Sequence, residues 1–187
     1  MNPRRFRTAL VTLFVFLPAC VTETSPPPPA SFEDNLTKRF SACEAVVSEE
    51  IWRAEVIRLV NVERAKVGCD PLVENATLNA QANQFACEMI QYDFFGHVNP
   101  VTGTHLRDRA EEFGYHYQKI GENLAAVPPN DCTPADVIQY WIGSTGHRKN
   151  MLDPEFTEIG VGIRTGGVYG TYWVQEFGCP APADEEE

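Results

Sequence analysis

The stretch Glu158–Ile163, reading EIGVGI, constrains the fold more than any other part of the chain. In an extended conformation Ile159, Val161 and Ile163 share one face, and the other carries only Gly160 and Gly162. The apolar face has to be buried under a second layer. The bare face lets another backbone, or a ligand, come close. GGVYG at 166–170 then reads as a turn, and Thr171 to Phe177 as the returning strand of a hairpin.

Upstream the period changes to that of helices. Ser48 is placed as the N-cap of a helix whose Ile51, Val56, Leu59 and Val60 form an apolar face, ended by Gly68. Asn75 caps a second helix with Leu78, Ala82, Phe85, Ala86, Met89 and Ile90 on one stripe. Thr104 to Phe113 reads as a shorter helix stopped by Gly114. Thr133, Pro134 and Asp136 combine a cap, a proline at the first helical position and an acid at the third; Val137, Ile138 and Trp141 then face inward. Between these, Tyr115 to Val127 is mixed, with a short strand around Asn123, Leu124 and Ala125. Helices first and an antiparallel hairpin last predict an α+β fold with helices covering a sheet.

The ends read differently. Residues 1–7 carry three arginines and no acid, and 8–17 are almost wholly apolar, too short a run to span a bilayer as a mature helix. The run closes on Leu17, Pro18, Ala19 and Cys20, similar to a bacterial lipoprotein signal over 1–19, with Cys20 as the lipidated mature N-terminus. Residues 20–45, with a proline run, are expected to form a stiff tether. The folded domain is expected over 46–180, with a solvated acidic tail at 181–187. Val21, rather than aspartate, after Cys20 favours the outer membrane in an organism that has one.

Losing residues 1–19 lowers Lys plus Arg from 15 to 12 against 26 acids, a formal charge of −14. Such a chain repels nucleic acid, and anionic lipid surfaces too, so membrane attachment falls to the anchor. Besides Cys20 there are Cys43, Cys69, Cys87, Cys132 and Cys179, widely spaced, which argues against a zinc ribbon or thioredoxin-type site. An oxidising compartment suits two disulfides and one spare thiol. Spacing alone does not determine connectivity; an antiparallel pair of leading helices would bring Cys43 to Cys87, with Cys69 joined to Cys179 and Cys132 spare.

Four stretches carry candidate chemistry: FFGHVNP with His97, GENLA with Glu122, YWIGSTGHRKNML with His147, and EIGVG. In this order they resemble the CAP superfamily of cysteine-rich secretory proteins, antigen 5 and pathogenesis-related proteins (the SCP domain), in its bacterial branch. The resemblance implies a three-layer α-β-α sandwich with a central antiparallel sheet. It also implies an open cleft in which His97, His147 and Glu122 meet. Many animal members carry a second cleft acid where this chain has Ser144.

Two neutral imidazoles can hold a divalent ion such as zinc, with Glu122 orienting a ring, but two ligands are fewer than a dedicated zinc site uses. No cofactor is required on this reading. The plainer alternative is a hydrogen-bonded network of Glu122, His97, Ser144 and His147 tying loops together. A Ser144–His147–Glu122 triad is a further alternative, against which stand the missing nucleophile elbow and oxyanion hole. His105 and His116 are read as surface or cap histidines, Arg148 and Asn150 as holding the turn around His147 through nearby backbone, and Trp141, Phe94 and Phe95 as core, with Phe94 and Phe95 bordering the cleft. The sequons at Asn35 and Asn75 carry no weight in a bacterial lipoprotein. The expectation is a monomeric, extracytoplasmic lipoprotein that binds a lipid, cell-wall or protein component. A metal-assisted or serine-type hydrolase and a structural module with a vestigial cleft are the rivals.

Overall fold

The computed structural model describes residues 32–128 and 132–182. Cys20, the signal segment and most of the acidic tail lie outside the described residues. In chain order the elements are α1 (Phe32–Arg39), β1 (Glu44–Ala45), α2 (Glu49–Lys66), β2 (Val73–Glu74), α3 (Ala76–Gln91), α4 (Leu106–Glu112), β3 (Tyr117–Val127), α5 (Pro134–Gly143), α6 (Thr145–Met151), β4 (Glu158–Gly166) and β5 (Gly170–Pro180).

The three long strands are antiparallel, with β5 between β4 and β3. The far edge of β4 is shared. Antiparallel β1 covers one end, at Arg164 and Thr165, and parallel β2 the other, at Glu158 and Ile159. Pleating sends Ile159, Val161, Ile163, Trp173, Phe177 and Ala125 to one face, where they pack with Val56, Val60, Val137, Ile138 and Trp141 of α2 and α5. Leu124, Tyr172 and Val174 go to the other face, against Ala82, Phe85, Ala86 and Met89 of α3 and Leu36 and Phe40 beside it. This is the expected three-layer α-β-α sandwich.

The bare face of β4 is used as its glycines allow. A Cβ on Gly160 would lie 2.3 Å from the Leu78 carbonyl carbon, and one on Gly162 would lie 2.4 Å from that of Ala82. So close an approach lets Asn79 and Asn83 accept from the amides of Val161 (2.8 Å) and Ile163 (3.0 Å) in the gap between β1 and β2. Side chains of α3 thus complete a ladder that no strand completes.

Several sequence expectations need correction. Ile51 is exposed, and Val56, Ile57 and Val60 make the buried stripe of α2; Ser48 stands at the cap position without a capping side-chain bond. The strand expected as short, near Asn123–Ala125, is the 11-residue β3. Its outer-edge carbonyls at Glu122 and Leu124 accept from Asn150 Nδ2 (3.1 Å) and Trp141 Nε1 (3.1 Å), so side chains blunt the edge. Residues 32–45, expected within the tether, carry α1 and β1 packed on the domain. Cys43 there forms the expected disulfide with Cys87. The pairing of Cys69 with Cys179 does not form, and among the described residues both are free, as is Cys132. Cys69 is engaged at the end of α2, its thiol donating to the Leu152 carbonyl at 3.4 Å, while Cys179 sits in β5 opposite Lys119.

Candidate functional site

Glu122 projects from the edge strand and is almost fully buried, its side chain 2% exposed. Both carboxylate oxygens are taken. Oε1 meets His97 Nδ1 at 2.8 Å, and Oε2 accepts from Arg109 at 2.5 Å. Arg109, on α4, is as buried as its partner and lies with its guanidinium carbon 3.4 Å from the centroid of the Phe85 ring. It also donates to the His97 carbonyl at 3.4 Å. A buried carboxylate needs this kind of charge-assisted pairing. The result is a clamp: Arg109 and Glu122 together fix the loop that carries His97.

The clamp commits one imidazole nitrogen and leaves Nε2, on a ring that is 58% exposed. The hydrogen bond to Glu122 raises the His97 pKa above its ordinary value, opposed by partial burial and by Arg109. His147, on α6, behaves oppositely. Burial lowers its pKa, and the charge of His97 adds to the effect, so the two rings are electrostatic neighbours. Among the described residues the buried His147 Nδ1 has no hydrogen-bond partner, and its ring lies 5.8 Å from that of Tyr140.

Asn123 joins the two halves of the site. It is fully buried and donates to the His147 carbonyl (3.1 Å) and to Gln175 Oε1 (3.0 Å), while its Oδ1 accepts from Asn150 (2.9 Å). Asn150 therefore reaches across to β3 instead of bonding the nearby backbone, as the sequence reading had it. Behind Glu122, directly opposite in the β3–β5 register, sits Glu176. Among the described residues, neither of its buried oxygens has a hydrogen-bond partner. Burial raises its pKa well above the ordinary value, the charge of Glu122 adds to this, and Arg109 and Gln81 oppose it.

In front of the pair lies an open hollow of about 480 Å³, lined by His97, His105, Leu106, Arg107, Ile120 and Glu122. His105 is the cap histidine expected, its amide donating to Asp108 at 2.8 Å, and it also borders this hollow. His116 lies elsewhere, its carbonyl bonded to Ala181. Ser144 joins α5 to α6, and among the described residues no hydrogen bond connects its hydroxyl to His147 or Glu122. Among the described residues no three His, Cys, Asp or Glu side chains converge as a metal-binding group. Glu122 orients His97 through Nδ1, so the two imidazoles are the donors left for an ion, fewer than a dedicated zinc centre uses.

Arg109, Asn123 and Glu176 were missed in the sequence. Arg109 had one available signal: a buried glutamate in a chain so rich in acid must recruit one of its few cations.

Fold and site together define a three-layer sandwich built around a histidine–glutamate cleft. The profile of the CAP, or cysteine-rich secretory protein, family matches residues 57–177, and the chain belongs to that family. Among curated proteins, "Uncharacterized protein YkwD" of Bacillus subtilis (strain 168) is 36% identical over 140 residues, 75% of this chain and 52% of the relative. "Uncharacterized membrane protein YlbC" of the same strain is 32% identical, covering 70% of this chain and 37% of the relative. The chain thus spans about half or less of the curated relatives it matches. An extracellular protein containing a SCP domain from Bacillus anthracis str. Ames superimposes with a TM-score of 0.60 at 30% identity, over 70% of this chain and 41% of that one. An outer surface protein from Borrelia burgdorferi gives 0.65 at 17% identity, over 74% and 98%, a likeness of fold alone.

Proposed function

We propose that this is an extracytoplasmic binding module, tethered through a lipid on Cys20, which takes a component of the cell envelope at the hollow between His97 and α4. One observation carries the reading. Glu122 is locked between Arg109 and His97, so it serves as a rigid support for an outward-facing imidazole and is not free to act as a general base. Among the described residues no hydrogen bond links the Ser144 hydroxyl to a base, which weighs against the hydrolytic rival. The relatives described as extracellular or as membrane proteins support placement outside the cytoplasm.

The test compares the wild-type chain with a His97→Ala/His147→Ala variant, each presented with separated lipid, cell-wall and protein fractions of the envelope. Bound material is identified by mass spectrometry, and metal content is measured on the same samples. Retention of one component by the wild type, and its loss in a variant of similar melting temperature, supports the module. A variant that only melts earlier, with nothing retained by either protein, would show the cleft to be a structural relic.

A further inference from the structure

Beside the hollow runs a strip of exposed aromatic rings that the fold does not need for its core. Tyr140 is 62% exposed, Phe95 44% and Tyr169 48%. Phe95 and Tyr169 lie 6.0 Å apart, and Tyr140 abuts the His147 ring. Between Phe95 and Tyr140 opens an apolar pocket of about 170 Å³, floored by Ala125, Ala126, Val127 and Val137. Exposed aromatics grouped around a pocket mark an interaction surface more often than an accident of packing.

The dimensions and chemistry select the occupant. Pockets that engulf a whole organic ligand run from about 300 to 1,000 Å³. This one is smaller, so it suits a substituent of a ligand and not a whole one. Among the described residues no ionised side chain lines it, and the chain carries a formal charge of −11, which disfavours polyanions. Flat aromatic faces take the C–H faces of pyranose rings, while His147 and the His97 hollow beside them offer hydrogen bonds to hydroxyls. An acetamido group adds a methyl small enough for the pocket.

We propose that the Tyr140–Phe95–Tyr169 shelf binds an uncharged, N-acetylated glycan, with one acetamido methyl seated between Phe95 and Tyr140. This rests on the reading of the domain as an envelope-binding module and names its ligand class. The full-length chain, held in lipid nanodiscs, is titrated with triacetylchitotriose and with cellotriose, which has the same length but no acetamido groups. Saturable binding of the first, with cellotriose about tenfold weaker, is expected. Tyr140→Ala and Phe95→Ala should each weaken binding about tenfold at an unchanged melting temperature, and Tyr140→Phe should retain it. Equal binding of both sugars, no saturable binding, or indifference to both alanine substitutions overturns the proposal. If triacetylchitotriose fails while an envelope fraction still binds in a manner dependent on His97 and His147, the glycan is wrong and the module stands. If both fail, both fall.

Discussion

Glu122 and Glu176 face each other across two strands, and one arginine cannot serve both. Arg109 pairs with Glu122, while burial and the Glu122 charge favour the protonated form of Glu176. Its folded pKa lies above the unfolded value of 4.5, so the native state binds the proton more tightly. Stability from this group is therefore complete below pH 4.5 and is lost as pH rises towards the folded pKa, at about 1.4 kcal/mol per pH unit. Glu176→Gln, which cannot ionise, should melt higher than wild type at pH 7 and lose that slope, as a series of thermal melts across pH would show. The two histidines should titrate apart in an NMR pH series. His97 contributes stability that is present below the ordinary value of 6.5 and lost as pH rises through its elevated pKa. His147 favours the neutral ring, so its contribution is present above 6.5 and lost as pH falls through its lowered pKa. Equal midpoints for the two rings would contradict the Glu122 clamp.

The contact of α3 with β4 shows which elements could be read from sequence. The stripe from Leu78 to Ile90 and the glycine alternation at 160 and 162 were both legible, because each is a periodicity that only one packing satisfies. Their joint consequence was not. Asn79 and Asn83 look like polar residues on a helix face, yet they cap the amides of Val161 and Ile163, which requires knowing that the two backbones nearly touch. β3 was underestimated because its residues do not alternate; side chains of Asn150 and Trp141 complete its edge from outside. Gly162→Ala tests the close approach. The new methyl meets backbone of Ala82 and Asn83, so the helix must move off and the Asn83–Ile163 bond must weaken. A loss of about 3 kcal/mol is expected in urea unfolding. A loss under about 0.5 kcal/mol would mean the layers are looser than described.

Across the whole molecule, the motifs FFGHVNP and GENLA carry His97 and Glu122, which the fold brings to 2.8 Å, whereas His147 of GHRKN does not line the hollow in front of them. Glu176 was illegible because it meets Glu122 only when β5 pairs with β3, and the shortage of cations pointed to an arginine without saying which. The N-terminal boundary was also set too late, since the proline run suggested a tether that ended at 45. The disulfide ties 32–45 to the domain, alongside the β1–β4 pairing and the Arg164–Glu33 ion pair. It joins Cys43, just before β1, to Cys87 in the last turns of α3, across 44 positions, and the same helix leads into the loop bearing His97. Closing a loop of that length removes unfolded-state entropy equivalent to about 4 kcal/mol, a large part of the stability of a domain this size. A Cys43→Ser/Cys87→Ser variant should lose about that amount in denaturant. Its amides in α1 and β1 should exchange faster than the rest, because the packing of Leu36 and Phe40, the β1–β4 pairing and the Arg164–Glu33 ion pair then hold them without the covalent tie. The His97–Glu122 clamp draws on Arg109 and β3, not on this staple, so the upward shift of His97 should survive in the variant. If His97 instead titrated at its ordinary value there, the disulfide would be part of the site's own support and not only of the fold around it.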